Sequence, residues 1–235
     1  LVRFDMSEYM EKQSTAKLIG SPPGYIGYEE GGQLTEKLRR HPYAVVLFDG
    51  TEKAHAEVFN LLLQVFDEGH ITDSKGRKVN CKNALFIMTS NLGSELLNTY
   101  LQTQTKQPSK EELLEILEPV LKAYFRPEFL NRLDEILPFL PLQEKDMEQI
   151  VEIQLQKIRQ RLEEKEVELD YTSKVKALLA KTGYDPIYGA RPLKRLIQKD
   201  VVNLLSNAIL EEKITNHSKI TLIVDKKGLI SLKIL

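Results

Sequence analysis

The sequence predicts an α/β protein, a parallel sheet covered by helices and followed by a smaller mixed α/β part. Two continuous apolar runs, YAVVLF (Tyr43–Phe48) and ALFIMT (Ala84–Thr89), have the texture of strands buried on both faces. Helix-periodic stretches separate them, and strands alternating with helices imply parallel pairing. Beyond Leu142 the texture changes to one long amphipathic helix, two further helices and two β-like runs. We therefore divide the chain into a large α/β part, residues 1–140, and a small part, residues 141–235.

LVRFD opens the chain as a short β-rich run; starting inside an apolar run, it reads as a segment of something longer. SEYMEKQSTAKLIG (Ser7–Gly20) is helix-prone, with Ser7 as its cap. GGQLTEKLRRHP supplies a second helix that Pro42 ends. After the first apolar strand, a helix from Ala54 carries Val58, Leu61, Leu62, Val65 and Phe66 on one face and stops at Gly69. HITDSKGRKVN reads as a hairpin turning at Ser74–Gly76, and Ala84–Thr89 is the second strand. Gln102–Lys110 is a polar loop, Glu111–Tyr124 is helical, and DEILPFLPL (Asp134–Leu142) reads as a strand with a proline-marked exit. In the small part, Met147, Val151, Leu155, Ile158 and Leu162 line one stripe of a long helix. A helix around Val175–Lys181 follows, then another from Pro192 through Leu210, and KITLIV and LISLKIL close the chain.

Composition narrows the function classes. Hydrophobic residues make up 42% and charged residues 29%, ordinary globular values. A net charge of −1 argues against a nucleic-acid binder, whose domain is normally strongly basic. The single cysteine, Cys81, excludes an internal disulfide and fits a reducing, cytoplasmic compartment. With histidines scattered at positions 41, 55, 70 and 217, it builds no metal site. There is no run of ~18 apolar residues and no signal segment, so no membrane span is predicted.

VVLFD places Asp49 at the carboxyl end of a buried parallel strand, where ligands bind in open α/β sheets. IMTSN brings Asn91 to the equivalent end one strand later. A turn-capping aspartate explains the first alone; an acid and an amide at one sheet edge suit a metal–phosphate site. GSPPGYIGYEEGG (Gly20–Gly32) holds five glycines and two prolines around Tyr25, Ile26 and Tyr28. Turn chemistry explains the glycines but not two exposed aromatics. Either the tyrosines tuck back onto the domain, or Tyr25 grips a polymer. In FRPEFLNRLDEI, Arg132 pairs with a neighbouring acid such as Asp134 or Glu135, or serves a site elsewhere. In YGARPLKR, Pro192 suits a first helical turn and leaves Arg191 at the positive end of the helix dipole. That position asks for a compensating anion or a solvent-extended side chain.

Taken together, FDMSEYMEKQSTAKLIGSPPGYIGYEEGGQLTEKLRR, LFDGTEKAH, IMTSNLGS, FRPEFLNRLDEI and GYDPIYGARPLKR resemble the second ATPase domain of ClpB-type disaggregases, in the Clp/heat-shock branch of the AAA+ ATPases. The resemblance covers nearly the whole chain. It implies an AAA+ nucleotide-binding subdomain followed by a small lid, assembled as a homo-hexameric ring that takes ATP and Mg²⁺. It further implies threading of unfolded or aggregated polypeptides, with a co-chaperone as a possible partner. Asp49 matches the Walker B aspartate that holds Mg²⁺, and Asn91 the sensor-1 residue that orients the attacking water. Arg132 matches the arginine finger that acts on the next subunit's nucleotide, and Arg191 the sensor-2 arginine of the lid. Tyr25, with Gly24, Ile26 and Gly27 around it, matches the pore loop that grips substrate; the His70–Asn80 hairpin matches a secondary pore loop.

Two departures qualify this. The sequence contains no glycine-rich phosphate loop, nor the strand that precedes it, so the segment alone is expected to be inactive. Gly50 stands where the family has its catalytic glutamate, and Glu52, from its place in the turn, is expected to point elsewhere. Gly50 favours a rival reading, a non-hydrolysing assembly module. Another rival, an unfoldase feeding a protease, lacks its docking loop between Asn91 and Tyr124.

Overall fold

Phe4, Phe48 and Phe86 stack in succession across three parallel strands, with ring centroids 5.5 and 6.4 Å apart. The computed structural model describes residues 1–103, 108–185 and 189–234. Part of the expected polar loop (104–107), part of the GYDPIYGARPLKR motif (186–188) and Leu235 lie outside the described residues. Two compact units emerge, Leu1–Pro138 and Phe139–Leu235.

In the first unit the chain runs through β1 (Val2–Asp5), α1 (Ala16–Ile19), α2 (Gln33–Arg40), β2 (Val45–Asp49), α3 (Ala56–Glu68), β3 (His70–Thr72), β4 (Lys78–Asn80), β5 (Leu85–Met88), α4 (Ser94–Gln102), α5 (Lys110–Tyr124) and α6 (Pro127–Leu130). The sheet order is β1-β2-β5, all parallel, with Asp5 opposite Asp49 and Phe48 opposite Met88. Val46 and Phe48 are buried, and α2 and α3 contribute Leu34, Leu38, Val58 and Leu62 to the same core. Gly69 ends α3 in the left-handed conformation, where a side chain is disfavoured. The β3–β4 hairpin is antiparallel, with His70 opposite Asn80.

Two expectations fail here. Ser7–Gly20 is not one helix: it breaks into 3₁₀ turns at Met6–Tyr9 and Lys12–Thr15 before α1. Asp5, not Ser7, is the cap, accepting from the Ser7 N–H at 3.0 Å and its hydroxyl at 2.7 Å. Met6 and Tyr9, three apart, are both buried, a spacing that a 3₁₀ turn eclipses onto one side. The Ser14 and Thr15 hydroxyls turn back to carbonyls three residues earlier, so side chains satisfy backbone groups that a regular helix would use. Nor is Asp134–Leu142 a strand. No described strand lies beside it, Pro138 and Pro141 lack the N–H a ladder needs, and Leu137 and Phe139 are exposed. Helix α4 went unforeseen.

The second unit is built from α7 (Glu144–Glu163), β6 (Glu168–Tyr171), α8 (Ser173–Gly183), α9 (Arg191–Ile197), α10 (Asn203–Leu210), β7 (Lys219–Val224) and β8 (Ile230–Ile234). Met147, Val151, Leu155 and Leu162 of α7 are buried as their spacing predicts, and Ile158 is partly buried against them. The sheet order is β6-β7-β8, parallel then antiparallel. The expected Pro192–Leu210 helix is continuous but interrupted: a π-turn at Gln198–Val202 joins α9 to α10. Its buried residues Leu193, Ile197, Val201 and Leu205 recur at every fourth position across the turn, and Ala208 follows three residues later. Strand β6 was not legible because Glu168 and Asp170 surround its one buried residue, Leu169.

Candidate functional site

β2 and β5 deliver their carboxyl ends side by side. At that edge Thr89 donates from Oγ1 to Asp49 Oδ1 at 2.6 Å, and Arg3 from β1 donates to Asp49 Oδ2. These two donors, Thr89 first, hold the Asp49 carboxyl below its ordinary value against the opposing effect of burial. Asp49 is therefore an ionised, acceptor-only group, still partly exposed at the sheet edge.

The turn after Asp49 is stitched to the end of β5. The Gly50 N–H donates to Thr89 Oγ1 at 3.1 Å, and Thr51 donates twice to the Thr89 carbonyl, from its N–H at 2.9 Å and its hydroxyl at 3.0 Å. Gly50 takes φ +74° and ψ 51°, a left-handed conformation that glycine enters without steric cost. A Cβ there would meet only the Lys53 side chain, at 3.7 Å, so the backbone angle and not crowding opposes a larger residue.

Glu52 does not point away. Its Oε2 accepts from the Asn91 N–H at 3.3 Å and its Oε1 from the Asn91 side-chain amide at 3.2 Å. The sequence places Glu52 in a turn; only the fold shows that this turn, Thr51–Lys53, is 3₁₀ and lies against the residues after β5. The Tyr124 hydroxyl, donating to the Glu52 carbonyl at 2.8 Å, anchors the same turn from α5.

The other residues lie apart from this edge. Arg132 forms an ion pair with Asp67 near the end of α3, not with Asp134 or Glu135; Glu135 instead meets Lys110 at 2.5 Å. Tyr25 is 71% exposed and Ile26 fully so, whereas Tyr28 is half-buried. Of the two aromatics expected at the loop tip, one is there. Gly24 and Gly27 take φ +86° and +88° on either side of the exposed pair. In the second unit, Arg191 opens α9 with Pro192 beside it, is exposed, and has no ion-pair partner among the described residues.

A family model for the AAA domain (Cdc48 subfamily) matches residues 1–136, and one for the C-terminal, D2-small domain of ClpB protein matches residues 142–222. The chain belongs to the AAA family, as a second ATPase domain of the ClpB type. It is 58% identical over 234 residues to the chaperone protein ClpB of Chlamydia caviae, which covers 100% of this chain and 27% of that protein. Identity to the ClpB of Bacteroides thetaiotaomicron is 50% over 235 residues, 97% of this chain and 27% of that protein. Identity to the mitochondrial chaperone protein ClpB4 of Arabidopsis thaliana is 49% over 229 residues, 96% of this chain and 24% of that protein. The chain thus spans about a quarter of the length of these relatives.

Within this AAA domain, the sequence pointed to Asp49 and Asn91, and the fold adds Arg3, Thr89 and the orientation of Glu52, which tie the edge together. Among the described residues no cluster of His, Cys, Asp and Glu forms a ready-made metal site, and no helix is long and apolar enough to cross a membrane.

Proposed function

We propose that this chain is part of an ATP-driven chaperone that works as a homo-hexameric ring in the cytoplasm and threads unfolded or aggregated polypeptides, with a co-chaperone as a further partner. The observation that carries the nucleotide side is the convergence of Asp49 and Asn91 on one sheet edge, joined through Thr89 and Glu52. An ionised, oxygen-only ligand fits Mg²⁺, which is commonly held by one or two carboxylates together with phosphate oxygens and water. Asp49 would hold the metal, whose charge neutralises the phosphates. Asn91 orients the water, Arg191 contacts nucleotide, and Arg132 serves the neighbouring subunit. Gly24, Tyr25, Ile26 and Gly27 form the polypeptide grip: the apolar tip is exposed and bounded by left-handed glycines.

Gly50 supports a second reading, a module that binds nucleotide to hold the ring together without turning it over. Glu52 favours the first, because it returns a carboxylate to the neighbourhood of Asn91. The grip is tested in the full-length parent protein by ATP-driven unfolding of a fluorescent substrate. Tyr25→Ala should abolish unfolding and Tyr25→Phe should retain it, with nucleotide binding unchanged in both. Normal unfolding by Tyr25→Ala would overturn the threading role.

A further inference from the structure

The loop between Gly20 and Gly32 is held by the β3–β4 hairpin at its entry, middle and exit. At the entry, the Ser74 N–H donates to the Ile19 carbonyl at 3.0 Å. Gly20 there takes φ +103°, and a Cβ on it would fall 2.3 Å from Ser74 Oγ. At the exit, Arg77 bridges Asp73 of its own hairpin and Glu36 in the first turn of α2, each at 2.6 Å. Both contacts fasten the hairpin to the ends of the loop.

The middle contact is made by Lys75. It sits at the hairpin turn, where a lysine would ordinarily extend into solvent, yet its side chain is only 26% exposed. Its ammonium donates to the Glu29 carbonyl at 3.1 Å, lies 3.6 Å from the Glu29 carboxylate and 5.3 Å from the centre of the Tyr28 ring. The ion pair contributes little, because Glu29 is 90% exposed. The cation–π contact and the charge-assisted hydrogen bond carry the attachment. Among the described residues, the Lys75–Glu29 bond is the one hydrogen bond that reaches residues 21–31 from elsewhere in the chain. Tyr25 and Ile26 project beyond it.

We propose that Lys75 is a positioning residue: from the hairpin it clamps Tyr28 and Glu29 and so fixes the direction in which the loop presents Tyr25. The consequence for function rests on the loop gripping polypeptide, as proposed above. A clamp at Tyr28 converts a glycine-hinged loop into a lever whose base moves with the hairpin. Arginine keeps both the cation over the ring and a donor for the carbonyl, whereas methionine keeps only the length of the stem.

Two readouts on the full-length parent protein test this: hydrogen–deuterium exchange of residues 21–31, and substrate unfolded per ATP hydrolysed. Lys75→Met should speed exchange of the Tyr28 N–H, which donates to the Tyr25 carbonyl, by roughly tenfold, the scale set by losing one cation–π contact and one hydrogen bond, and should lower unfolding per ATP. Lys75→Arg should restore both. Unchanged exchange in Lys75→Met overturns the clamp. So does a loss of unfolding without faster exchange, because Lys75 would then be touching polypeptide itself. If Tyr25→Ala unfolds substrate normally, the gripping role fails while the exchange measurement still decides whether Lys75 holds the loop.

Discussion

The Glu52 carboxylate receives both the backbone and the side-chain N–H of Asn91, at 3.3 and 3.2 Å, and so fixes the orientation of that amide. Glu52→Gln retains an acceptor oxygen and Glu52→Ala retains none. If Glu52 acts by holding Asn91, single-turnover ATP hydrolysis by this ring, with the other ATPase ring of the parent silenced, falls less than about tenfold in the Gln variant. In the Ala variant it falls about 10²-fold, the scale of a misplaced catalytic group. Equal losses of about 10²-fold in both would instead make the carboxylate the proton acceptor.

Gly50→Glu restores an acid beside Asp49 at a backbone angle that disfavours any side chain. Gly50→Glu and Gly50→Ala should each destabilise the fold by about 1–2 kcal/mol, because both must occupy the left-handed region. Only the glutamate should raise hydrolysis, by ~10²-fold or more. The thermal midpoint measures the first effect and single-turnover hydrolysis the second. A Gly50 protein already as fast as its Glu variant would show that the position has no catalytic demand.

Arg132 is paired with Asp67 in a half-exposed contact worth roughly 0.2–1 kcal/mol. Asp67→Asn should therefore leave the thermal midpoint nearly unchanged. Arg132→Ala should depress hydrolysis in the adjacent subunit by roughly 10³–10⁵-fold. Mixed rings of mutant and normal subunits separate these effects, since an ion-pair role alone predicts no defect in the neighbour.

In the second unit, Gln156, Tyr171 and Lys176 surround Glu152, and their hydrogen bonds pull its carboxyl down to about 2. A depressed carboxylate contributes stability that is present above its ordinary value near 4.5 and is lost as pH falls toward 2. Glu152→Gln should flatten the acid side of the stability profile over that interval and leave the neutral-to-alkaline side alone. Acid unfolding of the whole chain, followed by near-ultraviolet circular dichroism, checks this.

The legible parts of the fold were those whose burial is written into consecutive or evenly spaced residues. Val46 and Phe48 lie in a continuous apolar run, and Val151 and Leu155 lie on a helical stripe, so each element was apparent from its own residues. Strand β6 depends on pairing with β7, and its outward Glu168 and Asp170 hide it. Asp134–Leu142 errs in the opposite direction: its residues suit a strand, but no described partner lies alongside. The site divides in the same way. Asp49 and Asn91 announce themselves by following apolar strands, whereas Thr89 and Arg3 reach Asp49 across separations of 40 and 46 residues. Those contacts arise from sheet order, which no local pattern encodes.

The π-turn at Gln198–Val202 gives the helical stretch from Arg191 to Leu210 a fixed phase. Successive residues of an α-helix advance by about 100°, so each step of four overshoots a full turn by about 40°. Over the three steps from Leu193 to Leu205 a regular helix would drift roughly 120°, enough to carry one end of the apolar line into solvent. The wider turn absorbs that drift and keeps the line straight. Residue count between Arg191 and Leu210 is thereby a structural quantity in its own right: removing one residue from the turn would let it close to a regular helix with both ends near their present phase, whereas removing one residue outside it would rotate everything before the cut by about 100° against everything after it.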